Sequence, residues 1–223
     1  RDPLPSLLYG LFVFLLSAAL IVGLVVLEWD FAIFPVLAGL LILAPALAIG
    51  LYDKSRSLEE GRPVSLRHML MPRAQSGGQI LFTGAMLCGL LLLWMRAAVL
   101  IYALFFGVRP FPGFNHIVQM LFATPTGLAM LLVGSAVGGL FAAFAFAISA
   151  FSIPMMLDRR LDSLTAMGTS WALVWNNLPA LLVWGAVVLA LFVLSVATGM
   201  IGLIVVFPWL GHATWHAYRA ICR

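Results

Sequence analysis

The sequence has very few charged residues. Only 9% of its 223 residues are Asp, Glu, Lys or Arg, whereas a soluble domain carries about 25%. Hydrophobic residues make up 64% of the chain, and the mean hydropathy is +1.12, which is more apolar surface than a soluble core can bury. The composition therefore excludes a soluble globular protein.

Cysteine is scarce as well, and the basic residues are scattered. Cys88 lies inside an apolar run and Cys222 near the C-terminus, a pattern that offers no disulfide framework. Lys and Arg number 12 against 8 Asp and Glu, for a net charge of +4, but they lie in short loops and form no basic stripe. We therefore expect no nucleic-acid partner.

What the chain does have is six long apolar runs, with nearly all of the charge in the gaps between them. A hydrocarbon core about 30 Å thick needs about 20 apolar residues for each helical crossing. The pattern predicts an all-α fold in which residues 1–223 form a single integral membrane domain, a bundle of six transmembrane helices. The runs cover about residues 5–27, 31–52, 79–106, 126–152, 178–198 and 199–219.

The start of the chain gives two expectations. The first run is full length and lacks a cleavage-like end, so no cleavable signal peptide is expected. The chain opens with Arg1 and not with Met, so residues before Arg1 are expected to be missing.

The distribution of cations predicts the orientation of the bundle. The loops after the second and fourth runs and the C-terminus hold most of the Lys and Arg, whereas the opposite loops hold Glu28, Asp30 and Arg109. By the positive-inside rule the first set is cytoplasmic, so both termini are predicted to lie inside. The cytoplasmic cations are Lys54, Arg56, Arg62, Arg67, Arg73, Arg159, Arg160, Arg219 and Arg223.

Three segments between the runs are expected to be short interfacial helices. Residues 63–73 and 161–176 are amphipathic, with Leu164, Trp171 and Trp175 on the apolar side of the second. Residues 109–126 are predicted to form a turn and an interfacial or re-entrant helix. The second and fourth runs end alike and each precedes an amphipathic segment, so a faint internal repeat stays open.

The chain also contains strings that are too particular for generic membrane sequence. The longest covers residues 202–219 and reads GLIVVFPWLGHATWHAYR; further matches are residues 34–39, 50–56, 153–159 and 184–185. Over about residues 31–219 the chain resembles the bacterial family of predicted integral membrane proteins known as domain of unknown function 2189. The resemblance implies a proteobacterial inner-membrane protein and no particular activity.

Some members of that family carry the label cytochrome c oxidase subunit I, which the residues can test. That catalytic subunit holds two haems and a copper through six histidines on a larger set of helices. This chain has four histidines, and two of them, His68 and His116, fall in loops. It is not expected to be that subunit, and no cofactor is predicted. A small subunit that packs beside such an enzyme stays open.

His212 and His216 are the strongest candidates for a metal site. Their i, i+4 spacing puts both on one face of a helix, as in a two-histidine half-site. A third ligand would have to come from His68, Asp53 or Asp158. The alternative is that both rings hydrogen-bond to neighbouring backbone or lipid phosphate, while Trp215, Tyr218 and Arg219 form an interfacial anchor.

Arg96 is the one charged residue within a predicted span. It lies about 25 Å from the cytoplasmic start of the third run, at about 1.5 Å per residue. The acids at the outer end of the first run, Glu28 and Asp30, are its expected partners. A role in anion passage or in docking a partner's carboxylate stays open.

The largest candidate site lies where the second, fourth and sixth runs reach the cytoplasmic side. Buried charges are costly unless they pair, so both acids here are expected to bond to Arg, His or helix ends. These residues either fix how the helices leave the membrane or form a site that docks a partner or binds a ligand. We call the set the polar rim; it comprises Asp53, Lys54, Arg56, Asp158, Arg159, His212, His216 and Arg219.

No enzyme class is favoured by the motifs. The loops yield no combination of Ser, His and an acid, no phosphate-binding glycine loop and no paired carboxylates. We therefore predict a non-catalytic accessory or scaffold subunit that packs against a larger membrane complex, respiratory complexes included. The alternative is a small-solute or ion transporter or channel.

Two groups of residues bear on these alternatives. Pro45 and Pro208 are expected to kink their helices and free carbonyls, as in a transporter. Gly134, Gly138 and Gly139 give the fourth run a smooth face for close helix packing. The oligomeric state stays open.

Overall fold

The computed structural model describes residues 3–72, 74–107 and 114–222, and every regular element in these ranges is helical. A short 3-10 turn, Asp30–Ala32, separates the first two α-helices. The helices are α1 (Leu4–Val26), α2 (Ile33–Leu47), α3 (Ile49–Glu59), α4 (Leu66–Leu70), α5 (Gly77–Phe106), α6 (Phe114–Ala123), α7 (Pro125–Ser149), α8 (Ser152–Asp158), α9 (Ser163–Asn176), α10 (Leu178–Ala197) and α11 (Leu203–Ile221).

Five helical segments in these ranges are long and apolar enough to cross a membrane. They are α1, α2 continued by α3, α5, α7 continued by α8, and α10. The predicted all-helical class and the lipid environment are thereby confirmed. The sixth predicted crossing corresponds to α11, which has 19 residues and includes two histidines and an arginine.

The bundle is built from two groups of packed helices. One group is α1 against α11, and the other is α2 against α5 and α7; α10 lies at the edge, beside α9 and α11. The α10–α11 connection is a tight turn in which Gly199 and Met200 have φ of 64° and 67°. At Gly10 a side chain would overlap the Ile204 carbonyl oxygen and the Pro208 ring. A residue without a Cβ is therefore required where α1 meets α11.

Three helices begin at side-chain caps, as their sequences favour. Ser65 and Thr124 accept hydrogen bonds from the backbone N–H of His68 and Gly127, at 3.3 and 3.0 Å. Asp162 accepts one from Thr165 N–H at 2.9 Å. That backbone bond lowers the pKa of the Asp162 carboxyl. Each cap satisfies an N–H group that has no partner within its helix.

The second run breaks at Ala48, three residues after Pro45. Leu51 N–H bonds to the Ala48 oxygen at 2.9 Å instead of continuing the i to i−4 ladder to Leu47. The Tyr9 hydroxyl of α1 donates to that Leu47 oxygen at 2.8 Å. The interruption thus lies beyond Pro45, and the carbonyl that it frees is satisfied by another helix. Pro45 itself lies within α2 and Pro208 within α11, so a kink at either proline stays a prediction.

The fourth run breaks between α7 and α8 because a hydroxyl from another helix is inserted into its backbone hydrogen bonds. Ser170 of α9 donates to the Ala147 oxygen at 2.7 Å and accepts from Phe151 N–H at 3.2 Å. Those two backbone groups would bond directly to each other in a straight helix. An inserted side chain of this kind is an established cause of helix kinks.

The segments between the spans are helical, as predicted, but α9 is oriented differently from a core helix. Trp171 and Trp175 are 44% and 66% exposed and stack on each other, with ring centroids 6.5 Å apart. The side of α9 that contacts the protein consists of small and medium residues: Ser163, Ala166, Met167, Ser170 and Val174. The predicted apolar side therefore faces outward, where an interfacial helix meets lipid.

Gly138 is the member of the predicted glycine face that packs closely. A Cβ there would overlap the Trp94 ring of α5, whereas positions 134 and 139 have open space around them. Trp94 itself donates to the Pro35 oxygen of α2 at 2.8 Å. The glycine thus serves packing within the chain. The predicted turn at Pro110, Pro112 and Gly113 lies outside the described residues.

Removal of the inserted hydroxyl tests its role. We expect Ser170→Ala to lower stability by about 1–3 kcal/mol, because buried backbone groups lose their shared partner. Thr169→Ala is the matched control: its hydroxyl is exposed and bonds within its own helix, so a change within about 0.5 kcal/mol is expected. The measurement is the thermal unfolding midpoint of each variant in one detergent; equal midpoints for the two variants would show that the insertion is unimportant.

Candidate functional site

The core of the polar rim is α3, which is buried on all sides. Residues 50–57 are all buried, and Asp53, Lys54 and Arg56 are only 4%, 5% and 5% exposed. The reason is that α4, α8 and α11 pack around this helix, and side chains of α1 contact it as well. At Gly50 a Cβ would overlap the Met69 carbonyl oxygen. Charges held this far from water must be paired within the protein.

Arg56 links α3 to the end of α8. Its guanidinium pairs with Asp53 at 2.8 Å and donates to the Leu157 carbonyl oxygen. Leu157 is in the last turn of α8, where carbonyls lack partners within the helix. One side chain therefore satisfies a buried carboxylate and a helix C-terminus at the same time.

Asp158, the second acid of the polar rim, is held by α11. The Tyr218 hydroxyl donates to its Oδ2 at 3.0 Å, and an Arg219 nitrogen lies 3.3 Å from the same oxygen. Arg159 is 3.8 Å away and also donates to the Cys222 oxygen at 3.0 Å. The expectation that Asp53 and Asp158 are both bonded is confirmed.

Glu59 completes the contact between α3 and α11, and no local sequence pattern pointed to this role. Trp215 donates its indole N–H to Glu59 at 3.0 Å, and Arg219 and His216 lie 3.1 and 3.6 Å from its carboxylate. The interfacial anchor predicted at Trp215 and Tyr218 is wrong, because both residues are fully buried. They pack on each other in the core, with ring centroids 5.5 Å apart.

His212 is held between hydroxyls on two other helices. Its Nε2 lies 2.8 Å from Ser6 Oγ and its Nδ1 lies 2.7 Å from Ser55 Oγ. Lys54 donates to the same Ser6 oxygen at 2.7 Å. Nothing in the local sequence pointed to Ser6, since it is 206 positions from its histidine.

This arrangement bears on the predicted metal site. The described ranges contain no group of three His, Cys, Asp or Glu side chains placed to hold a metal ion. Both nitrogens of His212 are occupied by hydrogen bonds, His216 is near Glu59, and His68 is exposed on α4. The geometry thus favours the hydrogen-bonding alternative, and metal binding stays a prediction.

A cleft of about 500 Å³ opens beside His212. Its floor is polar, with Ser6, Lys54 and Ser55, and Glu59 and His216 also border it. The remaining walls are apolar: Pro3, Leu7, Leu58 and Pro208. The cleft lies among the first turns of α1, the second half of α3 and the middle of α11.

Arg96 does not join the polar rim. It is exposed on α5 and forms no ion pair among the described residues, so the expected pair with Glu28 is absent. The side chain of Asp30, its other expected partner, lies outside the described residues. So do Arg73, Arg109 and Arg223 of the predicted loop cations.

A known protein family matches the part of the chain that contains α3 and its partner helix α8. A family model described as predicted integral membrane protein (DUF2189) matches residues 33–158, more than half of the chain. The chain belongs to this family. No curated protein and no solved structure matches it. The matched residues include α2 through α8 and thus the Arg56 link, whereas Ser6 and the rim residues of α11 lie outside them.

The Arg56 link can be tested by mutation. Arg56→Gln should lower stability by about 3–5 kcal/mol, because Asp53 is left as a buried charge without its cation. Arg62→Gln is the control: its pair with Glu60 at 2.5 Å is between side chains 41% and 48% exposed, and such pairs contribute about 0–1 kcal/mol. Unfolding midpoints measured side by side decide the matter. An unchanged midpoint for Arg56→Gln together with loss of a co-purifying protein would assign Arg56 to docking instead.

Proposed function

We propose that this protein is an accessory or scaffold subunit of the bacterial inner membrane that packs against a larger membrane complex, respiratory complexes included. In this proposal it is one domain with six crossings and both termini in the cytoplasm. The observation that carries the proposal is an apolar groove between two spans, α5 and α7.

The groove has the shape and chemistry to take an apolar helix. It measures about 550 Å³, and none of its eight lining residues is ionisable. Ala85 and Gly89 on α5 have little or no side chain, so this wall of the groove is shallow. Small residues let two transmembrane helices approach closely. A hydrophilic solute would find no polar group on this lining. The groove therefore supports docking over transport. It is lined by Phe82, Ala85, Met86, Gly89, Leu90, Leu93, Phe144 and Ile148.

The sixth crossing is supported by the path of the chain. The tight turn after α10 reverses its direction, and α11 then packs along α1, one of the five apolar spans. Ser6 near the start of α1 meets His212 in the middle of α11. This contact supports an arrangement in which the two termini lie at the same end of the bundle, as an even number of crossings requires. The cations of the polar rim lie at that end too, which the positive-inside rule assigns to the cytoplasm.

Reporter fusions test this topology. A reporter fused after Gly61 or Arg160 should report cytoplasm, and one fused after Gly199 should report periplasm. A fusion to the complete chain should report cytoplasm again. If the fusion after Gly199 and the complete fusion both report periplasm, α11 does not cross and the count is five.

Filling the groove tests the docking role. A Cβ at Gly89 meets no other atom within 4 Å, so Gly89→Trp should leave the fold intact while it occupies the groove. We expect the fraction of the chain that is extracted with a partner in mild detergent to fall about tenfold, which corresponds to about 1.4 kcal/mol.

Gly84→Trp is the matched control for this experiment. It lies on the same helix, has equally open space around its Cβ and is not among the residues that line the groove. Loss of partner in both variants would indicate general damage to α5. Retention of a partner in Gly89→Trp, or extraction of a lone chain with lipid only, would contradict docking at this groove.

A further inference from the structure

The floor of the cleft brings together four side chains from three helices. Ser6 comes from α1, Lys54 and Ser55 from α3, and His212 from α11. Three hydrogen bonds join them: Lys54 to Ser6 at 2.7 Å, Ser6 to His212 at 2.8 Å, and His212 to Ser55 at 2.7 Å. The geometry is that of a hydroxyl beside an imidazole whose other nitrogen is held in place.

Two assignments of donors and acceptors fit these hydrogen bonds, because the roles of the two His212 nitrogens depend on the tautomer of the ring. A lysine ammonium can only donate, so in both the Ser6 oxygen accepts from Lys54. With the ring proton on Nδ1, the Ser6 hydroxyl donates to Nε2 of His212, and Nδ1–H donates to Ser55. In this tautomer His212 presents a basic nitrogen to Ser6, and Ser55 fixes the orientation of the ring.

From this geometry we propose that Ser6 is a nucleophile for acyl transfer, with His212 as its general base and Ser55 as a positioning residue. A nucleophile and base within about 2.6–3.2 Å, with the base oriented by a third group, are the signature of such a site. Both bonds fall in this range. The Lys54 ammonium is bonded to the Ser6 oxygen at 2.7 Å, and a cation at this distance favours the ionised hydroxyl as its proton leaves.

The reaction is balanced as follows. Ser6 Oγ forms a bond to the acyl carbon of an ester or thioester while its proton passes to His212 Nε2. The carbon–oxygen or carbon–sulfur bond to the leaving group then breaks, and His212 returns the proton to that group. Water attacks the acyl-Ser6 ester through the same base, which releases a carboxylic acid and restores the Ser6 hydroxyl.

The walls of the cleft select the class of substrate. Leu7, Leu58 and Pro208 give an apolar path beside the reacting hydroxyl, and the cleft lies at the end of the membrane spans. An ester or thioester of a long acyl chain fits this setting, with the chain on the apolar wall and the carbonyl at Ser6. This inference concerns a different surface from the groove between α5 and α7 and is independent of the accessory role.

An alkyl fluorophosphonate provides the test, because it reacts with activated serines. Ser6 Oγ would bond to phosphorus, fluoride would leave, and His212 would take the proton. The purified full chain is treated in detergent, and the adduct is located by mass spectrometry of its peptides. We expect one adduct per folded chain, at Ser6, and none after heat denaturation.

Ser65 serves as an internal control in the same sample. It is an exposed serine whose hydroxyl caps α4 and contacts no imidazole. If accessibility alone governed labelling, Ser65 would react before Ser6, which is 7% exposed. Labelling of Ser65 in preference to Ser6, or no adduct at Ser6, overturns the proposal on the unmodified protein alone.

Variants of two residues assign the roles. His212→Asn keeps hydrogen-bonding groups in place of the ring and should slow labelling of Ser6 about 100-fold, the low end of general-base effects. Ser55→Ala should slow it less, and Ser55→Thr, which keeps the hydroxyl, should restore the rate. A wild-type labelling rate in folded His212→Asn would refute the role of His212.

Discussion

The burial of α3 is the constraint on which the rest of the structure depends. This helix places an aspartate, a lysine and an arginine inside the protein, where water cannot solvate them. Each neighbouring element then has to supply a partner: α8 offers its C-terminal carbonyl to Arg56, α1 offers Ser6 to Lys54, and α11 holds Glu59. The apolar spans themselves carry few polar groups that require a partner. Their arrangement is therefore set mainly by the hydrogen bonds and ion pairs around α3.

Much of the fold could be predicted because a bilayer leaves few choices. An apolar run of about 20 residues in lipid must become a helix, since its backbone groups have no other partner. The predicted runs therefore start within about four residues of the helices, whereas the second and fourth continue as α3 and α8 beyond their predicted ends. The pairing of Asp53 with Arg56 was also accessible, because residues three apart on a helix face the same side.

The candidate site could be predicted only in part, because its bonds join distant segments. Nothing local indicates that Ser6 meets His212 or that Glu59 meets Trp215, which are 206 and 156 positions apart. Trp215 was misjudged for a related reason. An aromatic residue near the end of an apolar run is typical of a membrane interface, and only the packing of α11 against α3 shows that this one belongs to the core.

The hydroxyl of Ser170 has a consequence for the order in which the chain is assembled. The bend between α7 and α8 belongs to residues that leave the ribosome about 20 positions before the serine that fills it. Until α9 arrives, Ala147 and Phe151 can satisfy each other only in a straight helix, because lipid offers no alternative partner. The fourth span must therefore enter the bilayer unbent and take its final shape later. The bend between α7 and α8 thus depends on the presence of α9. In a protein shortened before α9, the same sequence would form a straight helix.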